Sequence, residues 1–144
     1  MRRRWKLVAG TAAAVAVAIQ AVPVERTNPP EPAPIAGPAE VVAVLERSCF
    51  DCHSYRTRWP WYSRVAPVSW LVARDVSEGR SHLNFSVWEA YPEARRAELR
   101  REVWEEVSEG EMPLGIYLVA HRGARLTAAD LQVLRAWTLA GRQE

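Results

Sequence analysis

Both cysteines of this 144-residue chain fall inside five consecutive positions, Cys49-Phe50-Asp51-Cys52-His53. Residues three and four apart on a helical turn share a face, so the two sulfurs point the same way and an imidazole follows directly. This is the C-x-x-C-H spacing of covalent haem attachment. Cys49 and Cys52 would bond the two vinyl groups of one porphyrin edge, and His53 would reach the iron from the same side as proximal ligand. Three rival chemistries fit less well. A redox dithiol normally opens a helix in a βαβ setting, and no strand pattern exists here. A structural zinc site needs four ligands and would have to recruit His82 or His121. A disulfide is disfavoured by the close spacing and leaves the histidine unexplained.

The rest of the chain reads as all-α. Val41, Val42 and Leu45 give a short helix after Pro38 an apolar face. A second helix is expected over Val68 to Glu78, closed by Gly79. Ser86-Val87-Trp88-Glu89 has capping-box spacing for a short helix interrupted before Pro92. Pro92 suits the first turn of a longer helix that ends at Gly110 and buries Leu99, Val103 and Val107. Thr127 starts the last helix, with Leu131, Leu134 and Thr138 on one face and Gly141 as its stop. Acids alternating with arginines from Glu98 to Glu111 read as a solvated face carrying i,i+4 pairs.

The N-terminus has a different character. Arg2, Arg3, Arg4 and Lys6 precede an uncharged stretch from Leu7 to Val24, the pattern of an export signal whose basic head stays cytoplasmic. Ala16, Ala18 and Ala21 offer weak cleavage options, and the stretch is also about long enough for an uncleaved anchor. Six of the ten prolines lie between Pro23 and Pro38, which favours an extended spacer becoming an ordered strap near the folded unit. The expected organisation is a signal or anchor over 1–22, a Pro-rich linker or strap over 23–38, and a folded domain over 39–144. The chain's 19 basic and 17 acidic side chains give a net charge of +2. The four cations of the first six residues account for that excess, leaving 15 basic against 17 acidic groups in the remainder. Nothing in that balance suits a nucleic-acid binder.

Several blocks carry a resemblance to a known family. Besides Cys49-Phe50-Asp51-Cys52-His53-Ser54, they are Trp59-Pro60-Trp61-Tyr62-Ser63, Ala66-Pro67-Val68-Ser69-Trp70-Leu71-Val72, Gly79-Arg80-Ser81-His82-Leu83-Asn84-Phe85-Ser86 and Gly110-Glu111-Met112-Pro113-Leu114. Together with Arg26-Thr27-Asn28-Pro29-Pro30 upstream, these blocks resemble the small haem-binding domain proteins known as Haem_bd. Tyr55-Arg56 and Gly115-Ile116 depart from the family pattern without touching a proposed ligand. The resemblance implies an exported, often N-terminally anchored, single-haem protein.

The sixth iron ligand separates the functional readings. Met112 is the one methionine besides Met1. It lies between two expected helices and before Pro113, an order similar to that of small cytochromes c. A thioether raises the reduction potential relative to a second histidine. His82 is the second candidate and His121 the third. Trp59, Trp61 and Tyr62 could bond a propionate or frame the haem edge, whereas Trp104 and Trp137 suit core packing. Arg56, Arg58 and Arg64 could pair with propionates, though solvated surface charge is the simpler role.

The expectation is a small cytochrome c-like all-α domain wrapped around one haem c. It would sit in the periplasm or an equivalent extracytoplasmic space, soluble after cleavage or anchored to the inner membrane by residues 7–24. It would pass single electrons between redox proteins of a membrane electron-transfer chain, with no substrate chemistry and no nucleic-acid partner. Two alternatives stay open. One is a sensor or peroxidase-like protein with a labile sixth position and His82 on the distal face. The other is an assembly module whose haem serves folding.

Overall fold

The computed structural model describes residues 2–140, and no strand occurs among them. Seven α-helices follow one another: α1 (Arg2–Ala18), α2 (Ala39–Ser48), α3 (Phe50–His53), α4 (Val68–His82), α5 (Glu93–Glu109), α6 (Gly115–Ala120) and α7 (Ala128–Ala140). Short 3-10 turns cover Ile19–Ala21, Trp61–Arg64, Phe85–Ala90 and Arg122–Ala124.

The limits of α5 and α7 follow from their end residues. Pro92 precedes α5, where its missing N–H costs nothing. Gly110 closes the same helix at φ 81°, a left-handed conformation that glycine adopts without a Cβ penalty. Thr127 and Asp130 cap α7 reciprocally: the Asp130 N–H donates to Thr127 Oγ1 at 3.2 Å, and the Thr127 N–H donates to Asp130 Oδ2 at 2.8 Å. Gly141, the expected stop of α7, lies outside the described residues.

Helices α2, α5 and α7 pack together around Leu45, Leu99 and Leu134, each at most 1% exposed. Burying one such side chain stabilises by roughly 1.5–3 kcal/mol. An aromatic chain extends this core from α3 towards α7. Phe50 stacks on Phe85 at 5.6 Å, Phe85 meets Trp88 at 5.7 Å, and Trp88 meets Trp137 at 5.5 Å. Trp104 also packs against the core.

Two local expectations are corrected. Helix α4 does not stop at Gly79 but runs to His82, because Gly79 is where α3 crosses it. A Cβ on residue 79 would lie 2.8 Å from the Cys52 carbonyl oxygen. Ser86 does not cap the turn over 85–90; Asn84 accepts the Ser86 N–H instead. The Ser86 hydroxyl donates to Glu31 at 2.6 Å and accepts the Tyr55 N–H at 2.7 Å, and Glu89 is drawn off to the Ala36 N–H. The apolar run after Pro113 forms a helix, α6, for which the sequence carried no expectation.

The proline-rich segment hydrogen-bonds to the helical body. The Ile35 N–H donates to Phe85 O at 2.8 Å, the Ala33 N–H to Ser86 O at 3.2 Å, and the Glu89 N–H to Ala33 O at 3.1 Å. Upstream, Asn28 donates to Thr57 O and Arg26 to Ser63 O. Ile35 itself joins the core. No residue of α1 is buried, and no helix among the described residues is long and apolar enough to cross a membrane.

Candidate functional site

The C-x-x-C-H segment forms one helical turn, α3, held between α2 and α4. Bonds just beyond the turn fix it. Ser54 Oγ donates to Phe50 O at 2.8 Å, Thr57 Oγ1 donates to Asp51 O at 2.8 Å, and Arg80 Nε donates to Ser54 O at 2.8 Å. Arg80 also reaches Thr57 Oγ1 at 2.8 Å and lies over the Tyr55 ring.

His53 shows the orientation that metal ligation needs. Its Nδ1 lies 3.1 Å from both Gly79 O and Leu83 O. Carbonyls only accept, so Nδ1 carries the proton and Nε2 keeps its lone pair. Burial pushes the His53 pKa down, with the two backbone hydrogen bonds opposing it, so the ring stays neutral and ready to ligate.

Alongside α3 opens a cavity of about 650 Å³, well within the size range of cofactor sites. Cys49, Cys52, His53 and Met112 all line it. Leu83, Phe85, Val103 and Val107 supply apolar wall, and the wall also holds Ser48, whose buried hydroxyl has no protein partner. Met112 is carried by the loop that closes α5. The N–H groups of Glu111 and Met112 both donate to Glu106 O, at 3.0 and 3.2 Å, and the Met112 side chain packs on the core.

Burial pushes Cys49 up to about 12, the adjacent Cys52 adding to it, and burial reinforced by Asp75 and Asp51 pushes Cys52 up to about 11. Both are thiols at neutral pH, the opposite of what a redox dithiol requires. Among the described residues no group of three or more His, Cys, Asp and Glu side chains is placed to hold a metal ion, which leaves a tetrahedral zinc site without its ligands. An open apolar cavity with a vinyl-compatible thiol pair and an oriented imidazole fits a haem.

A family model described as a haem-binding domain, Haem_bd, matches residues 14–140. The chain belongs to the Haem_bd family. No curated protein and no solved structure matches it.

The other sequence-derived candidates of this Haem_bd domain divide clearly. His82 lines the same cavity but is largely exposed. Its Nε2 is 3.2 Å from Glu102 Oε2, without hydrogen-bond alignment. His121 lies outside the cavity, stacked on Tyr117 at 4.1 Å and 10°. Among the described residues, no tryptophan and no arginine lines the cavity. Trp59 donates to Asn28, and Trp61 is 77% exposed. Arg58 pairs with Asp51 at 3.2 Å, and Arg56 pairs with Glu46. None of Trp59, Trp61, Tyr62, Arg56, Arg58 and Arg64 lines the cavity, and Arg56 and Arg58 pair with acidic side chains at the surface, in keeping with the simpler role expected of them.

Two features of the Haem_bd cavity had no prior place in the reading. Tyr117 Oη donates to Asp51 Oδ2 at 2.8 Å. Asp51 is the variable residue just before Cys52, and it also accepts the Arg58 N–H at 2.9 Å. Burial, reinforced by Asp51, pushes the Tyr117 pKa up, so the phenol remains neutral on the wall. The cavity rim is also acidic, carrying Asp75, Glu78, Glu102, Glu105 and Glu106. The α5 acids read as a plain solvated face; only the approach of α4 and the Met112 loop makes three of them part of a site.

Proposed function

We propose that this domain binds one haem c covalently through Cys49 and Cys52, with His53 and Met112 as axial ligands, and carries single electrons in an extracytoplasmic space. The observation that carries this reading is the convergence of those four side chains on one cavity, with His53 locked into the tautomer that frees Nε2. When bound, haem supplies a one-electron iron couple. The chain's own residues do the rest. Cys49 and Cys52 fix one edge against α3, while Gly79 O and Leu83 O aim the imidazole. Leu83, Phe85, Val103 and Val107 would keep water from that face, and the α5 cap would present the Met112 thioether to the same cavity. The acidic rim stabilises the more positive state of the centre and opposes the potential-raising effect of a thioether. The rim would also favour a basic face on a redox partner. Export follows from the basic head and uncharged run of residues 2–24.

The contact between His82 and Glu102 on the cavity wall favours a second reading, in which the sixth position is labile and His82 acts as a proton donor. One set of spectra separates the two. In alkaline pyridine the haem should stay attached to the unfolded chain and show the absorption of a porphyrin whose vinyls are saturated, and the ferric protein should show the methionine–iron charge-transfer band. Met112→Ala should keep the haem, lose that band and lower the potential. A spectrum unchanged by Met112→Ala would refute the ligand assignment. Tight carbon monoxide binding by the reduced parent protein would select the second reading.

A further inference from the structure

The turn over 61–64, the start of α4 and helix α6 together present an apolar face that backs onto the haem cavity, sharing Asp51, Cys52, Asp75, Leu114 and Tyr117 with its wall. Trp61 is 77% exposed, Val119 73% and Ile116 66%, and Val65, Val68 and Leu71 are also exposed. Between them runs a groove of about 270 Å³, lined by Val68, Leu71, Ile116 and Val119 among others. Isolated exposed apolar residues are ordinary, but a contiguous patch marks an interaction surface.

The occupant is indicated by what adjoins the patch. Helix α1 has no buried residue, so its apolar side chains also lack a protein cover. The two surfaces meet at Gln20, just past α1. Its Oε1 accepts the Ala66 N–H at 2.9 Å and its Nε2 donates to Ala66 O at 3.2 Å. Whatever covers α1 therefore lies beside Val65 and Val68. We propose that this face of the domain seats on a lipid bilayer, continuous with the membrane-bound α1. The proposal rests on the reading of residues 7–24 as a membrane-directed segment and is independent of the haem assignment.

Dimensions and side-chain chemistry both favour lipid. Residues 7–21 span roughly 22 Å as a helix, against about 30 Å of hydrocarbon. A helix that short cannot hold the domain clear of the surface, so the domain's adjoining face is drawn down to the headgroups. Exposed tryptophans lie in both parts, Trp5 near the start of α1 and Trp61 on the patch, and indoles favour membrane interfaces. Exposed Arg64 and Arg122 adjoin the patch in the chain and can meet anionic headgroups. A second copy of the chain would cover the patch but would leave α1 without a cover.

The test uses the full haem-loaded chain in vesicles of phosphatidylcholine and phosphatidylglycerol. The vesicles include a lipid whose photoactivatable diazirine sits close to the headgroup, and adducts are mapped by mass spectrometry. Leu139, 44% exposed on α7, serves as an apolar control away from the face. Trp61, Ile116 and Val119 should carry at least fivefold more adduct than Leu139. The double variant Ile116→Asp/Val119→Asp changes only exposed positions. It should lower the Trp61 adduct several-fold while leaving that on residues 7–18 unchanged. Adducts confined to residues 5–21 would overturn the proposal, as would Trp61 and Val119 labelling no more than Leu139. Chain-to-chain cross-links through Val119 in place of lipid adducts would assign the face to a second copy and overturn it equally. Haem content is read separately by absorbance, so failure of the haem reading shows on its own.

Discussion

Replacing Gly79 by alanine should damage this protein even though alanine is the better helix former. The added Cβ would meet the Cys52 carbonyl oxygen at 2.8 Å, its carbonyl carbon at 3.2 Å and its Cβ at 3.3 Å. Two of these atoms are backbone, in a turn already pinned by Ser54, Thr57 and Arg80, so no flexible side chain can swing aside. Overpacking of this kind costs about 1–3 kcal/mol. Separating α3 from α4 also stretches the bond from His53 Nδ1 to Gly79 O, worth about 1 kcal/mol. Against this, Gly-to-Ala in a helix interior gains about 1 kcal/mol. The net expectation is destabilisation by about 1–3 kcal/mol, a fall in melting temperature of roughly 3–10 °C. Circular dichroism during thermal unfolding measures it, with Gly115→Ala as control. Nothing lies within 4 Å of a Cβ at Gly115, so that change should be neutral or stabilise by about 0.5 kcal/mol. A Gly79→Ala protein that melts at or above the parent would show that helix propensity outweighs the crossing, and the packing argument would fail.

Two further outcomes test other parts of the structure. Arg47, 2.7 Å away, is the main reason the Asp130 carboxyl is drawn down from 3.8 to about 2. A depressed folded-state pKa gives stability that is present above pH 3.8 and lost as the pH falls through 2. Asp130→Asn should therefore cost about 1 kcal/mol at neutral pH after allowance for solvent screening, and should flatten the acid limb of a urea-denaturation pH profile between pH 4 and 2. Ser86→Ala leaves the Tyr55 N–H and the Glu31 carboxylate without their shared hydroxyl, at a cost of about 1–3 kcal/mol. Protease cutting within residues 24–36 should speed up while far-ultraviolet dichroism stays unchanged; unchanged cutting would mean that the hydroxyl does not hold the strap.

Much of the site is readable from the chain because its chemistry is local. Cys49, Cys52 and His53 share one helical turn, and Pro92 and Gly110 mark a helix whose Leu99, Val103 and Val107 are buried. What escapes is set by partners distant in sequence. Gly79 looks like a stop because a mid-helix glycine costs about 1 kcal/mol, and only the crossing with Cys52 makes it necessary. Ser86 has the spacing of a cap, yet Asn84 takes that role while Tyr55 and Glu31, both over 30 residues away, claim its hydroxyl. Tyr117 reaches Asp51 across 66 residues, and no periodicity announces such a bond.

The bonds of the N-terminal segment also limit how the domain can move. Gln20 is tied to Ala66 and Arg26 to Ser63, so residues 21–25 are the only slack between α1 and the body. Even fully extended they reach at most about 18 Å. On the proposed reading of α1 as a membrane segment, the domain would not be a bob on a long leash that swings from donor to acceptor. It would be a fixed post whose orientation is set where the chain leaves α1, and exchange with it would depend on partners coming alongside.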